Sequence, residues 1–403
     1  METIVLKFGG TSVGTTDRIS AVADLIHSAS KEAFPVVVVS AMSGETNRLI
    51  DLAESFGSEP NKREFDALVS TGEKVSASLV SIALNQLGLK AKSLSAAQFG
   101  MKTTDHFSRA KILDMNNDIL FKTIEDGYIP IITGFQGITA SGDTTTMGRG
   151  GSDTTAVAIA ASIKAKRCDI YTDVDGIYTT DPRIVPDAKK LDSISMEEML
   201  ELSGQGAKVI QVRAVEFANK YKVLVRVLSS FEPGSGTLIL QEEEGMEDAV
   251  ITGIASQQDQ TKFTLHGVAD TPGIASGILS PISDEGIEVD VIVQNVSVSN
   301  KTDFTFTVAT IDRSRVEAVL NEKMKGISYD ELIIDEGIGK VSLVGVGMRS
   351  TAGIASSAFN ALADAGINIQ MISTSEIKIT IVVAANQLED AVRTLHKAFN
   401  LGD

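Results

Sequence analysis

The sequence carries two glycine-rich turns and one acidic loop whose residue types could bind charged substrates. The first turn, Lys7-Phe8-Gly9-Gly10-Thr11-Ser12, directly follows a short apolar run. Backbone without side chains can approach a phosphate closely, and the N–H groups of a helix that begins there can point at it. The spacing matches neither the Walker A pattern nor the dinucleotide-binding fingerprint. Alone, this turn is compatible with a phosphate site or with a purely structural strand-to-helix connection.

The second turn, Gly148-Arg149-Gly150-Gly151-Ser152-Asp153-Thr154-Thr155, also opens a predicted helix. An arginine inside a glycine run is difficult to explain by structure, because its planar fork suits a carboxylate or a phosphate. Ser152 and Asp153 could either cap the helix or hold a substrate. This turn is therefore a stronger candidate for a binding site than the first.

The acidic loop follows a predicted strand and reads Tyr171-Thr172-Asp173-Val174-Asp175-Gly176-Ile177-Tyr178-Thr179-Thr180-Asp181-Pro182-Arg183. Its spaced aspartates suggest a calcium loop at first sight. The glutamate that closes such a loop is missing from the required position, so the spacing argues against calcium.

The composition is that of a folded globular protein. Of 403 residues, 43% are hydrophobic and 22% charged, and 36 basic against 53 acidic residues give a net charge of −17. This balance argues against a nucleic-acid or anionic membrane partner. The single cysteine, Cys168, excludes an internal disulfide and a cysteine-based zinc site, and we expect it to be a buried small hydrophobe. No basic leader or long apolar segment is present, which predicts a cytoplasmic protein without a membrane span.

The elements that must position these residues form βα units up to about residue 230, because short β-branched runs alternate with longer amphipathic stretches. We therefore predict a three-layer α/β fold with a mainly parallel sheet. The expected strands are Ile4–Phe8, Val36–Ser40, Ile129–Gly134, Cys168–Thr172 and Val223–Val227. The expected helices are Asp17–Ser30, Glu64–Leu87, Asp153–Lys164 and Met196–Tyr221.

The character of the chain changes over residues 231–248, where a Pro-Gly turn and an acidic run with nothing apolar to bury predict a linker. Beyond it the chain repeats itself: Thr271-Pro272-Gly273-Ile274-Ala275-Ser276 is answered by Thr351-Ala352-Gly353-Ile354-Ala355-Ser356. Each copy predicts a ferredoxin-like βαββαβ module. Pro281 should kink or shorten the first helix of the first module.

One strand is missing from the second module, which ends directly after its last helix. The unclaimed apolar segment Ala249–Ala255 precedes the first module and could supply that strand, so we predict that the first module is inserted inside the second. The expected domains are a catalytic domain over 1–230, a linker over 231–248, a first module over 263–335, and a second module assembled from 249–256 and 340–403.

Together these segments resemble the aspartokinase branch of the amino-acid kinase family. Three further motifs occur in the family's order: Ser40-Ala41-Met42-Ser43-Gly44, Ser70-Thr71-Gly72-Glu73 and Thr133-Gly134-Phe135-Gln136-Gly137. The two small modules follow in the same order and carry Gln294-Asn295-Val296-Ser297 and Ile372-Ser373-Thr374-Ser375-Glu376. The two small modules resemble ACT domains. The resemblance covers essentially the whole chain and implies an ATP-dependent kinase that phosphorylates the side-chain carboxylate of L-aspartate, the first step of lysine, threonine and methionine biosynthesis.

The resemblance also implies roles for matching residues. Those expected at the transferred phosphoryl group or in catalysis are Lys7, Gly9, Gly10, Ser40 and Asp153. Those expected to hold aspartate are Thr46, Glu73, Arg149 and Ser152, again with Asp153. Those expected around the nucleotide are Thr172, Asp173, Tyr178, Arg183 and Lys208. Those expected to bind an amino-acid effector are Asp270, Ala275, Asp290, Gln294, Asn295, Gly353, Asn368, Ile369, Thr374 and Ser375.

The implied chemistry needs no general base, because the acceptor carboxylate is already ionised at neutral pH. Charge repulsion between acceptor and triphosphate must instead be cancelled by Mg²⁺, held mainly by the nucleotide phosphates, and by Lys7 and Lys208. No protein metal site is predicted.

Two other functions remain open from the sequence. The chain could be a related kinase acting on glutamate, N-acetylglutamate or a nucleoside monophosphate, although Glu73 and the paired modules favour aspartate. It could also be an amino-acid sensor with a decayed kinase half, against which intact Lys7, Arg149 and Asp153 argue. A fused homoserine dehydrogenase is not expected, since nothing follows the second module.

The effector is expected to be lysine, threonine or both. We expect either a homodimer through the ACT modules or a heterotetramer with a short regulatory chain. The short chain would begin at Met246, which follows a run of three glutamates whose purine-rich codons could resemble a ribosome-binding site. An acidic linker with an incidental methionine is the alternative.

Overall fold

The computed structural model describes residues 2–57, 60–207, 209–241, 250–295, 300–323 and 327–402. They form two compact units. The first comprises Met1–Tyr178, Lys190–Gly204 and Lys208–Met246, and the second comprises Thr179–Lys189, Gln205–Ala207 and Glu247–Asp403.

The first unit is built on a sheet with helices on both faces. Its strands are β1 (Thr3–Phe8), β2 (Phe34–Val39), β3 (Ala91–Leu94), β4 (Met101–Thr103), β5 (Ile112–Met115), β6 (Ile129–Thr133), β7 (Gln136–Ile138), β8 (Thr144–Thr146), β9 (Cys168–Thr172), β10 (Ser193–Ser195), β11 (Val225–Ser229) and β12 (Thr237–Leu240). Its helices are α1 (Thr16–Ala29), α2 (Glu45–Glu54), α3 (Lys62–Val69), α4 (Thr71–Gln86), α5 (Ala96–Phe99), α6 (Asp118–Glu125), α7 (Gly151–Ser162), α8 (Met196–Gly204) and α9 (Val212–Tyr221).

The eight strands of the main sheet lie in the order β10-β12-β11-β9-β1-β2-β6-β3. The neighbours of β1 and β2 are all parallel, and only β12 pairs antiparallel, with β11. The predicted mainly parallel sheet is therefore confirmed. Because side chains alternate along a strand, Ile4, Leu6 and Phe8 pack into the core beneath α1 and α4. The opposite face of β1, which carries Lys7, is covered by α7.

A second, four-stranded sheet has the order β5-β4-β7-β8. The sequence analysis did not predict it, because its strands have only three or four residues and show little hydrophobic alternation. It leads directly into the Gly148–Thr155 turn, so it positions the second candidate binding segment.

Several predicted elements need correction. The stretch Glu64–Leu87 is not one helix but two, α3 and α4, joined at Ser70. The stretch Met196–Tyr221 is likewise divided into α8 and α9. The predicted linker 231–248 contains β12, whose alternating Thr237 and Ile239 are buried in the first unit.

By length and composition alone, the helical stretch Lys62–Gln86 could cross a membrane. Half of its most apolar window is buried inside the protein, and Ala77, Val80 and Leu84 belong to the core of the first unit. It is therefore a core element.

The second unit contains the two small modules in one sheet. Its strands are β13 (Gly253–Ala269), β14 (Val289–Gln294), β15 (Lys301–Ala309), β16 (Glu331–Val344), β17 (Met371–Thr374) and β18 (Lys378–Ala384). Its α-helices are α10 (Ile274–Asp284), α11 (Arg313–Lys323), α12 (Ile354–Asp364) and α13 (Leu388–Ala398), with short 3-10 helices at Thr310–Asp312, Val346–Arg349 and Ala385–Gln387.

Two long strands are shared between these modules. The N-terminal part of β13, residues 253–257, pairs with residues 340–344 of β16, while residues 260–266 pair with 331–338. The sheet order is β14-β15-β13-β16-β18-β17. Residues 253–257 thus add a strand on one side of β16, whose other side pairs with β18. In sequence, α12 precedes β18 and α13 follows it.

Helices α10 and α12 begin in the same way, each after a glycine in the left-handed region, Gly273 at φ +94° and Gly353 at φ +91°. Both helices have eleven residues. Pro281 lies inside α10 and does not shorten it, contrary to one of the expected effects.

The segment Thr179–Lys189 belongs to the second unit although it interrupts the first in sequence. The expected catalytic domain over 1–230 had included this segment. The Thr179 hydroxyl lies 3.0 Å from both His396 Nε2 and the Leu401 carbonyl oxygen. The Arg393 guanidinium donates to the Ile184 carbonyl at 3.1 Å.

Candidate functional site

The candidate residues of the first unit gather at the carboxyl ends of parallel strands. Gly9 follows β1, Ser40 follows β2, Gly134 follows β6, and Thr172 ends β9. Loops at this edge of an open parallel sheet are the usual place for ligands, because several strands deliver their side chains and backbone N–H groups there.

Lys7 and Asp153 form an ion pair at this edge, with Nζ 2.7 Å from Oδ1. Both residues are more than nine-tenths buried, at 8% and 7% exposure. Lys7 is the next-to-last residue of β1, on the face that α7 covers, and Asp153 lies in the first turn of α7. Strand alternation and the start of the helix therefore bring the two side chains together. A buried charge needs a partner, and a substrate anion could take over that role for Lys7.

The glycines of the first turn are needed for close approach. A Cβ on Gly10 would lie 2.9 Å from the Ala41 carbonyl oxygen, which no real side chain tolerates. A Cβ on Gly9 would lie 3.4 Å from Lys7 Nζ. The turn therefore packs against the segment after β2 and leaves the space before the ammonium open, which fits the predicted phosphate contact.

Glu73 is a buried carboxylate in the first turn of α4. One oxygen accepts a hydrogen bond from the Ala41 amide at 3.2 Å, and the other accepts from Gln136 Nε2 at 3.3 Å. Burial raises the pKa of Glu73 to about 7, and these hydrogen bonds only partly oppose it. The group can therefore carry either charge state near neutral pH, and a bound cation would favour the ionised form.

The Gly148–Thr155 turn starts α7 after two left-handed glycines, Gly148 and Gly150. The side chain of Gln211 fills the space over Gly150 and donates to the Arg149 carbonyl at 3.0 Å. The Arg149 side chain is exposed, while Ser152 is buried against Gly134. The Arg149 guanidinium is thus exposed, while the backbone of the turn is fixed by its contact with Gln211.

The predicted nucleotide residues are only partly brought together. The Thr172 hydroxyl donates to Asp173 at 3.0 Å, and the Tyr178 hydroxyl donates to Asp175 at 2.8 Å. Arg183 belongs to the second unit, where its exposed guanidinium donates to Asp181 with Nη2 to Oδ2 at 2.6 Å. Lys208 lies outside the described residues.

The remaining substrate candidates take simpler places. Thr46 is half-buried in the first turn of α2. The Ser40 carbonyl accepts a hydrogen bond from the Ser76 hydroxyl at 2.7 Å, which ties the segment after β2 to α4.

Sequence reasoning missed four side chains that hold this site together: Asp66, Gln136, Gln211 and Arg213. Gln136 stood inside a quoted motif and could have been singled out there. The other three lie in helical segments or at a helix start, and no local spacing distinguishes them from ordinary surface or capping residues.

The effector candidates lie in the second unit at the helix starts and edge strands. Asp290 on β14 forms an ion pair with Lys340, which is 1% exposed. Burial lowers the pKa of Lys340, opposed by Asp290. The Asn295 carbonyl accepts from the Thr302 hydroxyl, and the Ser375 amide donates to the Lys378 carbonyl at 2.8 Å.

Apolar side chains from the two edge strands β14 and β17 belong to one buried cluster. Val291 and Met371 belong to one cluster with Ile338 and Val382. Gln294 ends β14 and Asn295 directly follows it, while Thr374 ends β17. The candidates Asp270, Ala275, Asn368 and Ile369 are exposed or half-buried around these elements.

Comparisons with known proteins agree with this architecture. The profile of the amino acid kinase family matches residues 2–229, and ACT domain profiles match residues 265–325 and 341–399.

The aspartate kinase of Pseudomonas putida is 52% identical over 404 residues, covering 100% of this chain and 98% of its own length. The crystal structure of E. coli aspartokinase III in complex with aspartate and ADP (R-state) superposes with a TM-score of 0.85 at 28% identity, covering 98% of this chain and 99% of that one. The structure of the same enzyme in complex with lysine and aspartate (T-state) gives a TM-score of 0.77 at 28% identity over 100% of both chains.

Proposed function

This chain belongs to the aspartokinase branch of the amino acid kinase family, and we propose that it transfers the γ-phosphoryl group of ATP to the side-chain carboxylate of L-aspartate under amino-acid feedback control. Full-length similarity to aspartate kinases supports this reaction. The observation that carries the mechanism is the buried Lys7–Asp153 pair beside a glycine turn at the carboxyl edge of the sheet.

Lys7 has the principal electrostatic role in this proposal. Its ammonium lies in a low-dielectric setting, where its interaction with charge on the transferring group is stronger than in water. Gly9, Gly10 and Ser40 supply the uncrowded backbone beside it. Asp153 holds the ammonium in place before the substrates arrive, so little reorganisation is needed during the transfer.

Aspartate is held by its α-groups, so that only its β-carboxylate faces ATP. Arg149 binds the α-carboxylate through its two-pronged guanidinium. Glu73 binds the α-ammonium. Asp153, Ser152 and Thr46 are the other residues assigned to aspartate. A glutamate whose pKa is about 7 suits this role, because binding the ammonium completes its ionisation and gains a buried ion pair.

The nucleotide is held by Thr172, Asp173, Tyr178, Arg183 and Lys208. Mg²⁺ is bound mainly by the nucleotide phosphates, where it supplies positive charge between the two anionic reactants. Among the described residues, no group of three or more His, Cys, Asp or Glu side chains could hold a metal ion.

Feedback control acts through the ACT modules. An amino acid, lysine or threonine or both, binds between β14 with its flanking turn and the start of α12 with β17. The residues assigned to it are Asp270, Ala275, Asp290, Gln294, Asn295, Gly353, Asn368, Ile369, Thr374 and Ser375. The lysine complex of the E. coli relative supports an amino-acid effector. Inhibition follows if effector and aspartate favour different states of the protein.

The setting of the enzyme completes the proposal. It catalyses the first step of lysine, threonine and methionine biosynthesis in the cytoplasm. It assembles as a homodimer through the ACT modules or as a heterotetramer with a short regulatory chain that begins at Met246, which lies outside the described residues.

Expression of the native gene and detection with an antibody against the C-terminus test the short chain. We expect a second, smaller band that disappears in Met246→Leu. A single full-length band in both cases would contradict it.

A hydroxamate assay tests the main proposal, because hydroxylamine traps the acyl phosphate as a hydroxamate, which forms a coloured complex with added iron(III). Purified protein with Mg·ATP and aspartate should form the hydroxamate, and the rate should fall when lysine or threonine is added. Glutamate and N-acetylglutamate serve as competing acceptors in the same assay. A nucleoside monophosphate is tested by ADP release from ATP, because its product is a phosphoanhydride that forms no hydroxamate. Turnover of one of these in preference to aspartate would refute the substrate assignment.

A further inference from the structure

Asp66 is a buried carboxylate in α3 to which no role has been assigned. It has no exposed surface, and it accepts four hydrogen bonds. Oδ2 accepts from the backbone amides of Ser108 at 2.8 Å and Thr146 at 2.7 Å, and Oδ1 accepts from their hydroxyls at 3.0 and 2.9 Å. Such a set of donors offsets the cost of burying the charge.

The two partners of Asp66 belong to the segments that carry the second glycine-rich turn. Thr146 ends β8, directly before Met147-Gly148-Arg149, and its carbonyl accepts from the Ala110 amide at 2.9 Å. Ser108 is held in the left-handed region at φ +67°. A Cβ on Gly148 would lie 3.2 Å from the Ser108 carbonyl oxygen, so the turn rests on the Ser108 segment.

The other end of this connection leads to Glu73. Helix α3 ends at Val69 and α4 begins at Thr71, so only Ser70 separates them, and the first turn of α4 contains Glu73. Gln136 closes the same corner, because its Nε2 donates to the Ser70 carbonyl at 2.6 Å and to Glu73 at 3.3 Å. Two helices joined at Ser70 therefore connect Asp66 to the carboxylate that we assign to the substrate ammonium.

We propose that Asp66 is a positioning residue that sets the separation between Glu73 and Arg149. This inference rests on the proposed assignment of those two residues to the α-ammonium and α-carboxylate of aspartate. An amino acid can engage both groups only at one spacing, and Asp66 is the side chain that ties the helix pair of Glu73 to the strand that leads into Arg149. Its loss should loosen that spacing while leaving the nucleotide residues on β9 and its loop untouched.

The test compares three variants with wild type by hydroxamate kinetics and thermal unfolding. In Asp66→Ala the KM for aspartate should rise by about tenfold or more with the KM for ATP within about twofold, since an error near 1 Å in substrate placement is costly. Asp66→Asn should restore most of the affinity. Its amide oxygen can still accept from both backbone amides, and its NH2 can donate to the two hydroxyls, which then act as acceptors.

Asn85→Ala is the matched control. Asn85 lies in α4 and ties that helix to Ala91 through two hydrogen bonds at 3.1 and 3.2 Å, at the end away from Glu73. It should lower the melting temperature to a similar degree without changing the KM for aspartate. If Asp66→Ala does not fold, the isosteric Thr146→Val removes a single donor and should raise the KM for aspartate about threefold.

Asp66→Ala or Thr146→Val with a lowered melting temperature and an unchanged KM for aspartate would overturn the inference and leave Asp66 a structural residue. An equal rise of both KM values would overturn it as well. Glu73→Gln and Arg149→Lys distinguish failure of the Asp66 inference from failure of the proposed substrate site. If neither variant changes the KM for aspartate, the assignment of the substrate residues is wrong.

Discussion

Glu73 offers the sharpest test of the substrate site, because its ionisation can be followed by pH. Its pKa is raised from 4.5 to about 7 by burial, so in the free protein it is about half protonated at neutral pH. Binding of the aspartate ammonium requires the carboxylate form. We therefore expect kcat/KM for aspartate to fall by about tenfold from pH 8 to pH 6, because one pH unit below the pKa leaves about a tenth of the group ionised.

The same shift predicts the pH dependence of stability, with the opposite sign. Since the folded-state pKa of Glu73 lies above its unfolded value, the protonated form stabilises the fold. This contribution is fully present below pH 4.5 and is lost as the pH rises through about 7. The difference of pKa corresponds to about 3 kcal/mol, and saturating aspartate should offset part of the loss above pH 7.

The assay is the hydroxamate reaction at saturating ATP, run from pH 5.5 to 8.5 for wild type and Glu73→Gln. Glutamine keeps the shape and an acceptor for the Ala41 amide but cannot ionise. The pH profile of kcat/KM for aspartate should be flatter for Glu73→Gln than for wild type. Ionisation of ATP and of aspartate affects both proteins equally and cancels when the two kcat/KM profiles are divided. A constant ratio across this range, or a Glu73→Gln variant with an unchanged KM for aspartate, would refute the reasoning.

Three further substitutions test the remaining groups. Lys7→Ala should lower kcat by about a hundredfold or more with a smaller effect on binding, since one preorganised electrostatic contact is lost; near-normal kcat in the folded variant would exclude the role. Arg149→Lys should weaken aspartate binding by about 1–3 kcal/mol with little change in the KM for ATP, because lysine cannot form the two-bond fork; a matching rise in the ATP KM would assign Arg149 to phosphate. Asp290→Asn should raise the concentration of effector needed for half inhibition and leave the uninhibited rate unchanged. Loss of both inhibition and uninhibited activity would instead indicate damage to the fold. Lys340→Met, which lacks the buried charge that Asp290 pairs with, is the control for such damage.

The parts of the fold that the sequence predicted are those in which local pattern and burial agree. Cys168–Thr172 was predicted to the residue, because the strand-favouring residues Ile170, Tyr171 and Thr172 stand together and end at the acidic Asp173. The two glycine-opened helices of the ACT modules were equally clear, since a left-handed glycine before Ile274 and Ile354 marks each start.

The failures have a common physical cause. The helix break at Ser70 leaves no local signal, because Ser70 keeps right-handed helical dihedrals at φ −65° and ψ −11° and the apolar pattern continues across it. Strand β12 was hidden in a predicted linker because its burial depends not only on pairing with the preceding strand β11 but also on pairing with β10, which lies much earlier in the chain. Pattern alone cannot report a contact whose partner is distant in sequence.

The candidate site shows the same division between chemistry and placement. The residues that would touch substrate stand in short motifs, because a glycine turn, an arginine and a carboxylate are recognisable by type. The residues that hold them at the required distances do not: Asp66 reaches partners 42 and 80 positions away, and Gln136 reaches 66 positions back to Ser70. A motif therefore identifies the chemistry that the site can perform. The selectivity of the site for one amino-acid substrate over a longer or shorter one depends on these hydrogen bonds between residues that are distant in sequence. Substitutions at Asp66 and Gln136 should accordingly alter the discrimination between aspartate and glutamate before they alter the use of ATP.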